Sequence, residues 1–259
     1  MAKIFITGST EGLGQLTAKL LISQGHEVVL HARNSDRALD AQVAVPTAKN
    51  ILIADLDSMQ ETKELAEEVN ALGPFDAIIH NAAVYQVPKH ELSRDRLPVI
   101  PAVNTLATYI LTCLIEKPKR LIYMSSDMHL QGDPSLADLM NGTLSSTYSD
   151  TKLHVLLMSM AVARHWPDVY SNAVHPGWVP TKMGGEEAPD DLEEGYQTQA
   201  WLAVSEAAAA KVSGHYFHHK KQAAYLKEAD DVDLQEKLLQ VCEKLTGVKF
   251  PDGEEGTVL

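Results

Sequence analysis

The chain has 259 residues, 45% of them hydrophobic, enough for one large core, so residues 1–259 are expected to form a single domain. Its formal charge of −13 at pH 7, with no block of Lys or Arg, excludes nucleic acid and anionic membranes as partners and leaves small molecules. The two cysteines, Cys113 and Cys242, lie far apart without zinc-ligand spacing, and no signal region or apolar run of about 18 residues appears, which fits a soluble cytoplasmic protein without disulfides or structural metal.

The first apolar run, Ile4-Phe5-Ile6, leads into Thr7-Gly8-Ser9-Thr10-Glu11-Gly12-Leu13-Gly14, and Leu13, Leu16, Leu20 and Leu21 then mark one stripe of a helix. A glycine-rich turn between strand and helix brings backbone N–H groups and the helix N-terminus against a pyrophosphate, with no Cβ in the way. Thr7, Gly8, Ser9, Thr10, Gly12, Leu13 and Gly14 are therefore candidate cofactor contacts. The second run, Val28-Val29-Leu30, ends in His31-Ala32-Arg33-Asn34. An acid here would bond a ribose 2′-hydroxyl, whereas Arg33 can pair with a 2′-phosphate, which favours NADP(H) over NAD(H); the other reading of Arg33 is a surface ion pair. Glu11, inside the glycine turn, counts against a nearby phosphate. Past the third run, Ile51-Leu52-Ile53, Asp55 either accepts from an adenine amino group or caps the next helix, and Leu56 beside it is placed with the cofactor.

Leu65, Val69 and Leu72 form a second helical stripe, and the run Ala77-Ile78-Ile79 ends in His80-Asn81-Ala82-Ala83. The run Leu121-Ile122-Tyr123 ends in Ser125-Ser126, and after a loop over 127–147 Tyr148-Ser149-Asp150-Thr151-Lys152 opens a helix with the stripe Leu153, Leu156, Leu157, Met160. Ser171-Asn172-Ala173-Val174 precedes His175-Pro176-Gly177-Trp178-Val179-Pro180-Thr181 and a second loop over 181–190. Runs apolar at consecutive positions, alternating with helical stripes that carry charges on their opposite sides, fit strands covered by helices on both faces. The expected fold is α/β, a Rossmann-type doubly wound parallel sheet. Each loop follows a strand end, where open parallel sheets bind ligands, so both are expected to hold substrate. Met128, Leu130, Leu136, Leu139, Met140, Trp178 and Met183 point to an apolar pocket.

Tyr148 and Lys152 are four apart, on one face of a helix, so an ammonium can favour the ionised phenol. A free phenol has a pKa of about 10. Lowering it makes tyrosine a usable general acid and base, worth roughly 10²–10⁴-fold in rate. The same spacing also describes an ordinary surface pair. His215, His218 and His219 crowd one segment, but strand alternation sends His218 to the face opposite the other two, so no metal is expected. Ser126 lacks a Gly-x-Ser-x-Gly elbow, which argues against a hydrolase.

The glycine turn, Asn81, Asn104, Ser126, Tyr148/Lys152 and the His175–Thr181 segment occur in an order that resembles the short-chain dehydrogenase/reductase family, over nearly the whole chain. Ser125-Ser126-x-x-His129 and Gly195-Tyr196-Gln197-Thr198 look like the retinol-dehydrogenase-like reductases of its single-domain branch. The resemblance implies a carbonyl or alcohol substrate, with Tyr148 as proton donor and Lys152 lowering its pKa and holding the nicotinamide ribose. It implies that Ser126 bonds the substrate carbonyl and that Asn104, within the fourth helix, holds a water linking Lys152 to solvent. Pro176, Gly177, Val179 and Thr181 would fix the nicotinamide amide. Pairing into homodimers or homotetramers through the fourth and fifth helices is a family habit. The usual Asn-Asn-Ala-Gly is replaced here by His80-Asn81-Ala82-Ala83: the resemblance implies that Asn81 and Ala82 are cofactor contacts, Ala83 in place of glycine narrows the backbone near the adenosine ribose, and His80 reads as a structural hydrogen-bonding residue. The alternative is a non-catalytic NADP-binding sensor or regulator, against which the joint presence of Asn104, Ser126, Tyr148 and Lys152 argues.

Overall fold

The computed structural model describes residues 1–88 and 91–251. Its strands are β1 (Lys3–Ile6), β2 (Glu27–Ala32), β3 (Asn50–Ile53), β4 (Ala77–His80), β5 (Arg120–Met124), β6 (Tyr170–His175), β7 (His215–His218) and β8 (Lys221–Gln222). They form one sheet in the order β3-β2-β1-β4-β5-β6-β7-β8, parallel from β3 to β7. The helices are α1 (Gly12–Ser23), α2 (Ser35–Ala44), α3 (Met59–Ala71), α4 (Val99–Pro101), α5 (Thr108–Leu114), α6 (Ala137–Met140), α7 (Tyr148–His165), α8 (Leu192–Val204) and α9 (Val232–Thr246). The fold is the α/β Rossmann-type sheet that the apolar runs imply. The short antiparallel β8 has no apolar run to announce it; His219 and Lys220, at φ +47° and +61°, turn the chain back after β7.

The reason for consecutive apolar positions is visible along β1. Ile4 and Ile6 pack with Leu21 of α1, Ala41 of α2 and Leu202 of α8, while Phe5 packs on the other face with Leu65 of α3, Ile110 of α5 and Leu157 of α7. Side chains alternate between faces and both faces are covered, so every position is apolar.

Three expectations change. On α1 the buried positions are Gly14, Thr17, Ala18 and Leu21, while Leu13, Leu16 and Leu20 are only half-buried at its flanks, because small residues let α1 approach the sheet and α8 closely. Helix α7 is not amphipathic: all fourteen residues from Ser149 to Val162 are buried. It lies between β5 and β6 on one side and α9 on another, with the chain around Asn104 alongside. Its polar residues are satisfied internally, Asp150 accepting from Thr147 N at 2.6 Å and Asp133 N at 2.8 Å, and His154 bonding Thr105 Oγ1 at 3.1 Å. Finally, the stretch 127–147 contains a 3₁₀ turn, Asp127–Gln131, as well as α6, and its Leu136 and Leu139 are buried in the core instead of lining a pocket.

Cys113 and Cys242 are free thiols, and burial pushes both above the ordinary range, Cys113 to about 12. Among the described residues no helix is long and apolar enough to cross a membrane.

Candidate active site

The strand order reverses between β1 and β4, and the crevice at their C-terminal ends is where an open parallel sheet takes its ligand. Gly8 and Gly12 in the turn after β1 adopt φ of +60° and +57°. A Cβ on Gly8 would come within 2.8 Å of Ala82 Cα, and one on Gly14 within 2.5 Å of Asn81 Nδ2, so the exit of β4 packs directly on this turn. Thr7 Oγ1 accepts from Asn81 N at 2.9 Å and Ala82 N at 3.0 Å, while Asn81 Nδ2 donates to Thr7 O and Gly8 O at 2.9 Å. Ser9 Oγ donates to Ile6 O and accepts from His31 N. The side chains of Thr7, Ser9 and Asn81 thus shape the turn; Thr10 O accepts from Gln15 Nε2 at 2.6 Å, and a Cβ on Gly12 would meet nothing within 4 Å, so the turn is open on that side.

His31, which the sequence reading passes over, completes this scaffold. Its Nδ1 accepts from Gly8 N and its Nε2 bonds Ala54 O, both at 2.9 Å, and burial pushes its pKa down to about 4, so a neutral ring holds the turn. A lone polar residue in an apolar strand was the available signal.

The turn suits an anion. Asn34, Ser58, Thr147, Asp191 and Asp231 cap α2, α3, α7, α8 and α9 with their side chains, whereas Glu11 makes no such bond to α1 and no acid sits in its first turn. Its N-terminal N–H groups therefore lack a side-chain cap, the arrangement in which a helix N-terminus can take an anion. Arg33, after β2, is exposed and has no ion pair among the described residues, so the surface-pair reading lacks a partner. Glu11 is compensated: its carboxylate meets Arg37 at 3.0 Å and Lys182 at 3.8 Å. Asp55 does not cap α3, a role Ser58 takes; its carboxylate accepts from Asp57 N at 3.3 Å and lies 3.7 Å from Arg94. The Leu56 side chain belongs to the core, leaving only its backbone for a ligand.

Between α4 and α5 the chain forms a π-helical segment, Ala102–Ala107, a geometry often found at functional sites. Asn104 sits in it. Its Oδ1 accepts from Val84 N at 2.8 Å, and its Nδ2 donates to Val84 O at 2.9 Å and Thr151 Oγ1 at 3.1 Å. The amide therefore ties the β4 exit to α7.

Ser125 and Ser126 separate cleanly. Ser125 is buried and its hydroxyl donates to Lys152 O at 2.8 Å, a structural role; Ser126 is half-buried and its hydroxyl donates to Asp127 Oδ1 at 3.1 Å. Thr147 and Asp150 form a capping box that starts α7 at Tyr148. Lys152 is 3% exposed; its Nζ lies 5.1 Å from the Tyr148 ring centroid and donates to Met124 O at 2.7 Å. Burial pushes Lys152 down to about 7. The phenol moves opposite to the sequence expectation: burial, then Tyr85 and Asp127, raise it above its ordinary value. Tyr85, another residue missed in sequence, meets the Tyr148 ring edge-on at 4.8 Å. The lysine does not favour phenolate here because its own charge is weakened by burial and its hydrogen bond goes elsewhere.

The segment after β6 is folded against α8. Gly177 has φ +91°, and a Cβ there would lie 2.8 Å from Asp190 Oδ2, which accepts from Trp178 N at 2.6 Å. A Cβ on Gly195 would lie 2.7 Å from Val179 Cγ1, which is why α8 carries glycine there. Pro176 and Thr181 are half-buried, Val179 is buried, and Thr181 Oγ1 accepts from Gly184 N at 3.1 Å. The histidines correct the alternation argument: β7 ends at His218, and the turn places His219 on its ring at 3.7 Å, with His175 stacked on His218 at 4.4 Å. The rings lie face to face and do not converge on a centre.

The short chain dehydrogenase family matches residues 2–192. The chain is 47% identical to an uncharacterized oxidoreductase, AN7799, of Emericella nidulans, covering 98% of this chain and 100% of that protein. It is 42% identical to the short-chain dehydrogenase chyC of Penicillium rubens, covering 97% and 100%. Human retinol dehydrogenase 14 is 27% identical over 95% of this chain and 86% of its own, so the likeness to retinol dehydrogenases holds at low identity. An uncharacterized protein from Mycobacterium paratuberculosis shares the fold, with a TM-score of 0.79 at 23% identity over 97% and 95% of the two chains.

Proposed function

The chain belongs to the short-chain dehydrogenase family, and we propose that this oxidoreductase moves a hydride between NADP(H) and a carbonyl or alcohol, with Tyr148 exchanging the proton. A bound nicotinamide supplies or takes up the hydride. The backbone of the glycine turn and the N-terminus of α1 hold the pyrophosphate, Arg33 the 2′-phosphate, and Asp55, Leu56, Asn81 and Ala82 the adenosine side. Pro176, Gly177, Val179 and Thr181 hold the nicotinamide side, and Lys152 its ribose. Ser126 turns its hydroxyl from Asp127 to the substrate oxygen, and Tyr148 gives that oxygen a proton in reduction and removes it in oxidation.

The substrate is read as apolar because Leu130, Met140, Trp178 and Met183 stay exposed on or beside the two loops. Free thiols fit a reducing, cytoplasmic setting, and the described residues act as one unit around one sheet.

Lys152 carries the reading. A buried amine against a tyrosine ring, both with perturbed titration and both at the mouth of a parallel sheet, has the hallmarks of a proton-handling site. The test offers decanal, para-nitrobenzaldehyde and benzil to the purified protein with NADPH and NADH side by side. NADPH-driven reduction is expected, reduced roughly 10²–10⁴-fold in Tyr148→Phe with NADPH binding intact. Full turnover in Tyr148→Phe would overturn the proton role, and equal use of NADH would overturn the cofactor assignment.

A further inference from the structure

His129 has no part in the scheme above, yet it is wholly buried three residues after Ser126. Its Nδ1 lies 2.5 Å from Ser126 O, and its Nε2 lies 3.1 Å from Leu226 N. A backbone N–H only donates, so Nε2 is the acceptor, the ring is neutral, and Nδ1 carries the proton that Ser126 O accepts. His129 N also donates to Ser126 O at 3.1 Å, so one residue holds that carbonyl twice. The ring is braced edge-on by Tyr216 at 4.9 Å. Leu226 stands at the entry to α9, the helix packed on α7.

We propose that His129 is a positioning residue for Ser126: it fixes the backbone that carries the serine hydroxyl by bridging it, in one tautomer, to the chain segment leading into α9. This rests on the reading of Ser126 as the group that holds the substrate oxygen. Ser126 itself stands at the edge of the cleft, and its hydroxyl also accepts from Met128 N at 3.2 Å, so the direction of that hydroxyl follows the backbone of the turn that His129 closes. A small displacement of such a donor costs turnover more than cofactor affinity, because it matters only where charge develops on the substrate oxygen.

The two bonds of the ring can be removed separately. In His129→Asn the amide N–H can still reach Ser126 O, whereas in His129→Gln the longer side chain can satisfy Leu226 N and abandons Ser126. Leu226→Pro, at a φ of −60° that proline accepts, deletes the far donor without touching the loop. With decanal and NADPH, His129→Gln is expected to lose roughly 10–100-fold in kcat/KM, mostly in kcat, with NADPH Kd unchanged, and His129→Asn to recover most of that loss. Leu226→Pro should lower kcat severalfold with the same unchanged Kd. In a Ser126→Ala background His129→Gln should cost nothing further, since both act through one hydroxyl. Equal losses in Asn and Gln, a parallel loss of NADPH affinity, or an undiminished effect in the Ser126→Ala background would each overturn the proposal while leaving the Ser126→Ala loss in place. Full activity in Ser126→Ala would instead remove the reading of Ser126, and the positioning role with it.

Discussion

Lys152 donates its hydrogen bond to the Met124 carbonyl at 2.7 Å while its ammonium lies 5.1 Å from the centre of the Tyr148 ring, with no hydrogen bond to the phenol. Two titratable groups that must cooperate are therefore arranged so that burial acts on each, lowering the lysine and raising the tyrosine. A polyanionic dinucleotide bound beside Lys152 would restore the ammonium, because a negative charge near a buried amine favours its charged form. Binding should then take up protons. At about pH 8, where Lys152 at about 7 is mostly neutral, NADPH binding is expected to take up as much as about one proton per site, falling away towards about pH 6. Calorimetry in buffers of different ionisation enthalpy reads this directly, and uptake persisting in Lys152→Met would refute it.

The same burial should make Lys152 a stability cost. Its folded pKa of about 7 lies below an unfolded value of about 10.4, so between these the unfolded chain binds more protons and stability rises with pH; below about 7 the full penalty is present. Lys152→Met removes the amine but leaves Met124 O without its partner. The net expectation at about pH 6.5 is a gain of roughly 1–3 kcal/mol, with activity abolished and the pH dependence of thermal unfolding flattened. A lower Tm in Lys152→Met would contradict this account.

Arg33 and Glu11 make opposite claims on a 2′-phosphate, and their ion pairs differ. Glu11 already sits on Arg37 and Lys182, whereas Arg33 has no partner among the described residues. Arg33→Ala should raise the KM for NADPH roughly 10–100-fold and that for NADH little. Glu11→Gln should change either by less than about threefold, since its pairs are solvent-exposed. An Arg33→Ala enzyme that keeps its NADPH KM would show the phosphate is held elsewhere.

Asp127 enters through the field it adds. After burial and Tyr85, its carboxylate raises the Tyr148 phenol. Asp127→Asn should therefore lower the phenol: the alkaline loss of carbonyl reduction, which needs protonated Tyr148, moves to lower pH, and the rise of alcohol oxidation moves the same way. Profiles that stay superimposed on those of the unaltered protein would exclude Asp127 as a determinant.

Much of this was legible in the sequence because it depends on local rules. Strands covered on both faces must be apolar at every position, and a glycine turn between β1 and α1 needs positive φ at Gly8 and Gly12. What escaped depends on residues distant in sequence. α7 reads as an amphipathic helix until α9, some seventy residues further on, buries its outer side. His31 and His129 are scaffold pieces only because Ala54 and Leu226 arrive at their far nitrogens. The Tyr148 phenol follows burial and two neighbours, Tyr85 and Asp127, that spacing to Lys152 does not reveal.

That same covering by α9 bears on self-association. The family habit is pairing through the helices that carry Asn104 and Tyr148, and such pairing needs an exposed face on both. Here residues 101–112 are buried throughout, as are Ser149–Val162. The end of α7 is closed by the Arg164–Glu236 ion pair, by the 2.7 Å hydrogen bond between His165 Nε2 and Glu236, and by Trp166 stacked on Phe250 at 5.3 Å, with Trp166 Nε1 donating to Pro251 O at 3.0 Å. The side of α7 that would pair is covered by its own chain, with Leu238, Leu239 and Cys242 of α9 in the core cluster, so among the described residues α7 offers little apolar area to bury against a second copy. Light scattering on the purified protein should give a monomer of 28.4 kDa across micromolar concentrations. Glu236→Lys, which sets a cation against Arg164, should loosen α9 and lower Tm by roughly 2–4 °C, as a loss of about 1 kcal/mol does in a domain of about this size. A stable dimer in the unaltered protein would mean that α9 either moves aside or that another face, not these helices, makes the pair.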